Sequence, residues 1–268
     1  MGTEWRCWSG NSHLRPNEVH LWRVNLAALR DSSPDVSLLS PEESARAERL
    51  LVAPGKEYFV ASRVALRRIL AEYLHQSPQS LHITLLPGGK PVLATHPDQP
   101  HVQFNLSHSG NWLVVALAAD ITLGVDIEII KPVPHKQWAL QNLFSEADRQ
   151  ELAHFSDELQ ELVFLRAWTR KEAVLKALGS GFAHSNDVIQ IDCLSARRSA
   201  SQAYTLIHGE PFWIAGFEPA PGYLGMLAVN SKIEPTVRFL EFQGIDSFND
   251  DALARVAGRV QLSTAGMG

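Results

Sequence analysis

From Trp168 to Gly181 the chain reads Trp-Thr-Arg-Lys-Glu-Ala-Val-Leu-Lys-Ala-Leu-Gly-Ser-Gly, and no other stretch limits the fold as much. It closes a helical pattern that starts near Asp157, with Leu159, Leu162, Val163, Leu165 and Trp168 as candidate core positions. The Gly-Ser-Gly exit supplies residues that take the left-handed capping conformation. Glu172 and Lys176 stand at i, i+4 and therefore share one helix face. The commonest meaning of such a pair is a solvated ion pair, worth about a few tenths of a kcal/mol. The alternative is that this face forms one wall of a site.

A second acidic motif favours the alternative. Thr122–Ile129 alternates as a strand, placing Val125, Ile127 and Ile129 on one face and Gly124, Asp126 and Glu128 on the other. Two carboxylates on one strand face repel unless a cation or basic side chain lies between them, and on a solvent face they merely solubilise. With Glu172 they make an oxygen-rich set suited to Mg²⁺, which prefers octahedral oxygen ligands. No histidine or cysteine falls at zinc spacing, and Cys7 and Cys193 are isolated.

The remaining patterns surround this pair. Val19–Val24 reads as a strand, and Ser40-Pro-Glu-Glu is a capping box that opens a helix expected to end at Pro54-Gly55. A longer helix runs from Lys56 to about His75, with Phe59, Leu66, Ile69, Leu70, Tyr73 and Leu74 at helical spacing. Lys56, Arg63 and Arg67 line its other side, as either a solvated stripe or an anion-contacting edge. Short strands follow at 81–86, 101–106 and 112–118, with Gly88-Gly89-Lys90-Pro91 as a turn. A short helix covers Lys136–Leu143, and Ser145-Glu-Ala-Asp148 is a second capping signal. Further strands fall near 188–192, 203–208, 212–217, 223–229 and 237–242, and a closing helix near 250–256. The order of elements repeats, which predicts an α+β fold of two similar halves, residues 1–118 and 119–268. A ligand at their junction is the expected arrangement. Residues 1–17 read as a loosely ordered lead-in.

Asn105-Leu-Ser107-His108-Ser109-Gly110 is either a phosphate-contacting strand end or an ordinary polar turn. A Ser–His nucleophilic pair is excluded there, because adjacent strand residues point to opposite faces and no G-x-S-x-G elbow exists. P-loop and Gly-x-Gly-x-x-Gly signatures are absent as well. A net charge of −5 on 268 residues argues against nucleic-acid binding while leaving room for a local basic pocket. No apolar run reaches the roughly 20 residues of a membrane span, and the N-terminus carries no signal-peptide pattern. A cytoplasmic chain with free thiols is expected, with no membrane and no nucleic acid as partner.

Together Asn105-Leu-Ser-His-Ser, Gly124-Val-Asp-Ile-Glu128 and Trp168–Gly181 resemble the 4′-phosphopantetheinyl transferases, the long pseudodimeric, surfactin-synthetase-activating type above all. The resemblance covers roughly residues 16–230 and does not extend past about 235. It implies two halves related by a pseudo-twofold axis, a monomer, and transfer of 4′-phosphopantetheine from coenzyme A to a serine of an acyl or peptidyl carrier protein. It further implies Asp126, Glu128 and Glu172 as Mg²⁺ ligands, and Glu172 also as the base for the carrier serine. Lys176 then contacts the coenzyme A pyrophosphate. Ser107 and His108 grip the nucleotide phosphates, with His108 at the 3′-phosphate. Arg63 matches a 3′-phosphate arginine, and Lys90 a further coenzyme A contact. The sequence departs from many relatives at Ile129-Ile130, where a basic residue often comes sooner than Lys131 does here. Two rival readings use the same acids: another Mg²⁺-dependent phosphate-cleaving enzyme, and a non-catalytic coenzyme A-binding module.

Overall fold

The strands at 18–25 and 112–119 are buried on both faces, Glu18 and His20 included, and the computed structural model of the chain shows why: their sheet is covered on both sides. The structure describes residues 3–8, 10, 13–50, 54–94, 101–134, 136–179, 202–207 and 209–244. The expected strand at 188–192, the helix at 250–256, Cys193 and the Ser180-Gly181 exit lie outside the described residues.

Eleven strands and six α-helices are described, in the order β1 (Arg6–Cys7), β2 (Glu18–Asn25), α1 (Leu26–Asp31), α2 (Pro41–Arg49), α3 (Gly55–Leu74), β3 (Ile83–Leu85), β4 (Pro91–Leu93), β5 (Val102–Ser109), β6 (Trp112–Ala119), β7 (Leu123–Ile129), α4 (Lys136–Leu143), α5 (Glu146–Leu152), α6 (Asp157–Leu178), β8 (Gln202–Ile207), β9 (Glu210–Phe217), β10 (Tyr223–Asn230) and β11 (Thr236–Phe242). One sheet has the order β1-β11-β2-β6-β5, a second β7-β10-β9-β8, and β3 and β4 form a hairpin.

The layers are helix, sheet, sheet, helix. On one face of the five-stranded sheet, Trp22, Val24, Phe104 and Leu117 pack against Ala65, Leu66, Ile69 and Leu70 of α3. Val19, Leu21, Val114, Ala116 and Ala118 on its other face meet Val125, Ile127, Leu227 and Val229 of the four-stranded sheet. The outer face of that second sheet carries α6 through Ala173, Val174 and Ala177 against Phe212, Ile214 and Ala228. A satellite cluster, including Phe144 and Phe164, packs α4 and α5 onto the first half of α6. No helix among the described residues is long and apolar enough to cross a membrane.

Several expectations are corrected. The capped helix ends at Arg49, before Pro54-Gly55. Arg67 is no part of a solvated stripe: it is 1% exposed, bonds Glu43 Oε2 at 2.6 Å, and donates to the carbonyls of Pro78 and Leu81. Its charge is tolerated in the interior because a carboxylate and two carbonyls satisfy it. Glu43 meanwhile closes the capping box with Ser40, so one side chain ties α2 to α3. Leu159, a candidate core position, is 52% exposed. The lead-in is built into the fold among its described residues: β1 pairs with β11, and the Arg23 guanidinium sits 5.0 Å from the Trp5 ring and 5.3 Å from that of Trp112. The segment past 235 supplies β11, which runs parallel to β2 in the sheet of the first half.

Candidate active site

Strand β7 is an edge strand, and its free amides face β5, the edge of the other sheet. The two edges do not pair backbone to backbone. Instead the side chains of β5 accept the β7 amides in turn: Val125 N–H bonds Asn105 Oδ1 at 3.0 Å, Ile127 N–H bonds Ser107 Oγ at 3.4 Å, and Ile129 N–H bonds Ser109 Oγ at 3.1 Å. The i, i+2 spacing on both strands makes this ladder possible. It protects an otherwise exposed edge and sets the register between the two sheets.

The other face of β7 meets α6. Four helical residues rise about 6 Å and two strand residues about 6.6 Å, so an i, i+4 row on α6 matches an i, i+2 row on β7. The two rows meet antiparallel. Trp168 donates its indole N–H to Glu128, Lys176 reaches Asp126, and Ala173 and Ala177 lie on Gly124. Only glycine fits at 124, since a Cβ there would overlap the Ala173 carbonyl oxygen and the Ala177 amide nitrogen. The chain therefore needs Gly124 to bring helix and strand close enough for the acids and the lysine to share one space. At the helix end Gly179 takes φ 72°, the left-handed cap expected from the sequence.

Within that space Asp126 is buried and its Oδ1 accepts both Lys176 Nζ at 2.7 Å and the Ser107 hydroxyl at 2.8 Å. Its Oδ2 is buried with no hydrogen-bond partner among the described residues. Glu128 Oε2 accepts the Ser109 hydroxyl at 3.0 Å. Burial raises the pKa of Asp126, opposed by Lys176. Burial and then the charge of Asp126 raise that of Glu128. Glu172 is pushed up to about 7, first by burial and then by Asp126, with Lys176 opposing and Glu128 adding. Three carboxylates, Asp126 raising both glutamates and Glu128 adding to Glu172, are served by one ammonium, which leaves excess negative charge in a partly desolvated site.

Asp126, Glu128, Glu172, Lys176 and Ser107 are thus brought together. Among the described residues no three His, Cys, Asp or Glu side chains converge at metal-ligand spacing, and it is Lys176 that holds Asp126. Lys90, at the turn of the β3–β4 hairpin, donates to the Ala177 carbonyl at 3.2 Å, one residue beyond Lys176 on α6. His108 is exposed on β5, on the strand face opposite Ser107. Arg63 lies on α3 with its guanidinium 5.2 Å from the Phe59 ring, which also carries Arg46 at 5.4 Å, and no described contact joins it to the acids. Three participants escape the sequence reading of the site: Asn105 and Ser109 of the ladder, and the Trp168 indole. The alternation Asn-x-Ser-x-Ser opposite Gly-x-Asp-x-Glu is the signal that marks the first two.

The geometry has counterparts. Residues 122–219 match the profile of the 4′-phosphopantetheinyl transferase superfamily, and residues 28–120 that of the 4′-phosphopantetheinyl transferase N-terminal domain. The chain is 34% identical over 179 residues to 4′-phosphopantetheinyl transferase HetI of Nostoc sp., covering 66% of this chain and 76% of that protein. It is 31% identical over 215 residues to 4′-phosphopantetheinyl transferase psf-1 of Bacillus pumilus, covering 76% and 87%. With the putative 4′-phosphopantetheinyl transferase slr0495 of Synechocystis sp. the identity is 38% over 147 residues, covering 55% of this chain and 59% of that one. The β7–α6 cluster lies within the superfamily match and the β5 ladder within the N-terminal match, and the chain belongs to the 4′-phosphopantetheinyl transferase superfamily.

Proposed function

We propose a division of labour among these residues for a chain that, as a member of this superfamily, is a 4′-phosphopantetheinyl transferase. Its substrates are coenzyme A and a serine of an acyl or peptidyl carrier protein. The serine oxygen forms a bond to the phosphorus nearest the pantetheine, the bond from that phosphorus to the bridging oxygen breaks, and 3′,5′-ADP leaves. The observation that carries this reading is the cluster of the buried Asp126 with the half-buried Glu128 and Glu172, and Lys176 on Asp126 at 2.7 Å.

In chemistry, and with Lys176 turned away from Asp126, the three oxygen donors suit a hard divalent cation, although their present spacing is set by Lys176. The buried, unpartnered Asp126 Oδ2 and the raised carboxyls of Asp126, Glu128 and Glu172 are an excess of acid that Mg²⁺ would relieve. Asp126, Glu128 and Glu172 are the residues that would hold it. When bound, the cation neutralises charge on the phosphate oxygens. Glu172 takes the proton of the carrier serine, and its partly desolvated carboxylate suits a base working near neutral pH. Lys176, released from Asp126, turns to the pyrophosphate and stabilises the leaving group. Lys90, beside it on the helix end, His108, and Arg63 on its aromatic platform contact the nucleotide phosphates. Ser107 serves Asp126 directly and the phosphates through the same strand end.

The two halves, 1–118 and 119–268, are related in this reading by a pseudo-twofold axis. Two sheets face each other, each with a long helix, α3 or α6, on its outer face, which supports it, and β11 from the second half completes the first sheet. A cytoplasmic monomer follows from the same reading and agrees with a composition of 45% hydrophobic and 20% charged residues. The test is a mass measurement: the chain is incubated with coenzyme A, Mg²⁺ and several apo carrier proteins, and each carrier is weighed. A gain of one phosphopantetheine mass is expected. Cleavage of coenzyme A with no carrier gaining mass means a phosphate hydrolase instead, and binding of coenzyme A with no product means a non-catalytic module.

A further inference from the structure

The ladder between β5 and β7 uses different residues at its three rungs. Where β7 presents Gly124 the rung is Asn105, and where it presents Asp126 and Glu128 the rungs are Ser107 and Ser109. An amide oxygen is enough to accept a backbone N–H. A hydroxyl does that and also has one proton to give. Because Ser109 Oγ already accepts from Ile129 N–H at 3.1 Å, its own proton goes to Glu128 Oε2 at 3.0 Å.

Ser109 is itself held from both halves. Gly110 follows it at φ +52°, with the Tyr223 hydroxyl occupying the space a Cβ would take. The Asn111 amide donates to the Tyr223 oxygen at 3.3 Å, and the Tyr58 hydroxyl donates to Asn111 Oδ1 at 2.7 Å. Tyr58 belongs to α3 and Tyr223 to β10, so the turn is clasped by one tyrosine from each layer system. Glu128 sits near the end of β7, close to the half-exposed Ile130, where a glutamate held by the Trp168 indole alone keeps more of its rotamer freedom than one held by both Trp168 and Ser109.

We propose that Ser109 is a positioning residue for Glu128: its bond to Oε2, together with the Trp168 indole, holds the carboxylate in the rotamer that meets the cation, and the Tyr58–Asn111–Tyr223 clasp fixes the turn that follows Ser109. This rests on the reading of Glu128 as a metal ligand. Partners that orient a ligand in this way are typically worth 10–100-fold in metal affinity.

The test uses Mn²⁺ as the probe, titrated into the full chain and followed by electron paramagnetic resonance, with melting temperature measured alongside. Ser109→Ala is expected to weaken Mn²⁺ binding about tenfold, and Ser109→Thr, which keeps the hydroxyl, to restore it. Asn105→Ala breaks a rung that serves no carboxylate, so it is expected to lower the melting temperature while Mn²⁺ binding stays within about twofold. If Ser109→Ala fails to fold, Ser109→Cys keeps the volume with a weaker donor and reads the same difference. Unchanged Mn²⁺ affinity in Ser109→Ala overturns the proposal, and so does an equal weakening in Asn105→Ala, which makes the ladder merely structural. A wild-type chain that binds Mn²⁺ yet modifies no carrier overturns the transferase roles and leaves Ser109 in place. A wild-type chain that binds no Mn²⁺, with or without coenzyme A, overturns the role of Ser109.

Discussion

Lys176 Nζ lies 2.7 Å from Asp126 Oδ1, the oxygen that also accepts the Ser107 hydroxyl, while Oδ2 of the same carboxylate is buried and unpartnered. The ammonium therefore stands beside the position a cation needs, and the two compete. Replacing Lys176 with Met removes a positive charge a few ångströms from the acids, so Mn²⁺ binding without coenzyme A is expected to tighten roughly tenfold. Coenzyme A binding is expected to weaken in the same variant. Titration of each ligand separately checks both, and weaker Mn²⁺ binding in Lys176→Met rules out the competition.

Glu172→Gln separates the chemistry from the binding. Turnover is expected to fall by about 10²–10⁴-fold, the range of a lost general base, with coenzyme A affinity nearly unchanged. One of three mutually repelling buried charges is also removed. In a chelator the variant is accordingly expected to melt above the parent chain, a gain in stability for a loss of function. Turnover equal to the parent chain contradicts the base assignment.

Gly124 sets the distance between α6 and β7. Gly124→Ala forces a Cβ into the Ala173 carbonyl and the Ala177 amide, backbone atoms that have no way to rotate aside. Overpacking of this kind costs about 1–3 kcal/mol, and the displaced helix carries Glu172 and Lys176 with it. A lower urea midpoint and loss of transfer are expected. Gly216→Ala on β9 is the control: a Cβ there meets Met226 side-chain atoms at 3.6 Å and the Gly225 carbonyl at 3.8 Å, so stability and transfer are expected to hold.

His20 gives the fold a pH dependence far from the acids. It is buried beside Glu18 of its own strand, Tyr73 of α3 and Arg238 of β11, with Nδ1 2.6 Å from the Tyr73 hydroxyl and Nε2 3.5 Å from Glu18. Burial lowers its pKa from 6.5, with Glu18 opposing and Arg238 adding to the fall. The folded chain thus stays neutral at His20 where the unfolded chain takes up a proton. Its part of the stability is constant above 6.5 and is lost as pH falls below it. Burial raises the pKa of Glu18, but the Arg15 amide, His20 and Arg238 together outweigh it, so the net value is below 4.5. Its contribution is lost only as pH falls below that range. Glu172, raised to about 7, works the other way over the same range, so the readout is the difference between two chains: the urea midpoint of His20→Gln is expected to rise relative to that of the parent chain as pH falls from 6.5 to 5. An unaltered slope in the variant assigns the dependence to other groups.

Local signals made the second half readable. The helix from Asp157 to Leu178 has the bounds expected from its periodicity and its glycine stop, and both capping boxes form as Ser-x-x-Glu and Ser-x-x-Asp predict. Asp126 and Glu128 face away from the Val125–Ile127 core because a strand alternates, whatever packs on it. What stayed hidden depends on partners distant in sequence. Arg67 looks like one member of a basic stripe until Glu43 closes over it, and the ion pair of Lys176 with Asp126, rather than Glu172, is set by the approach of α6 to β7. The Asn105–Ser107–Ser109 ladder joins two sheets whose adjacency no local periodicity encodes. The parallel pairing of β11 with β2 is non-local in the same way.

That pairing bears on the order in which the protein assembles as it is synthesised. Strands β2, β5 and β6 can meet once residue 119 is made, but β1 touches the sheet only through β11, with Arg6 opposite Leu240 and Cys7 opposite Glu241. The first of the described strands therefore waits for the last of them. Until then Trp5, which later packs edge-on against Phe239 at 5.2 Å, has no strand β11 to cover it. A nascent chain therefore carries β1 and Trp5 without this strand partner from the time they are made until β11 follows, a period in which chaperone binding or mispairing competes with folding.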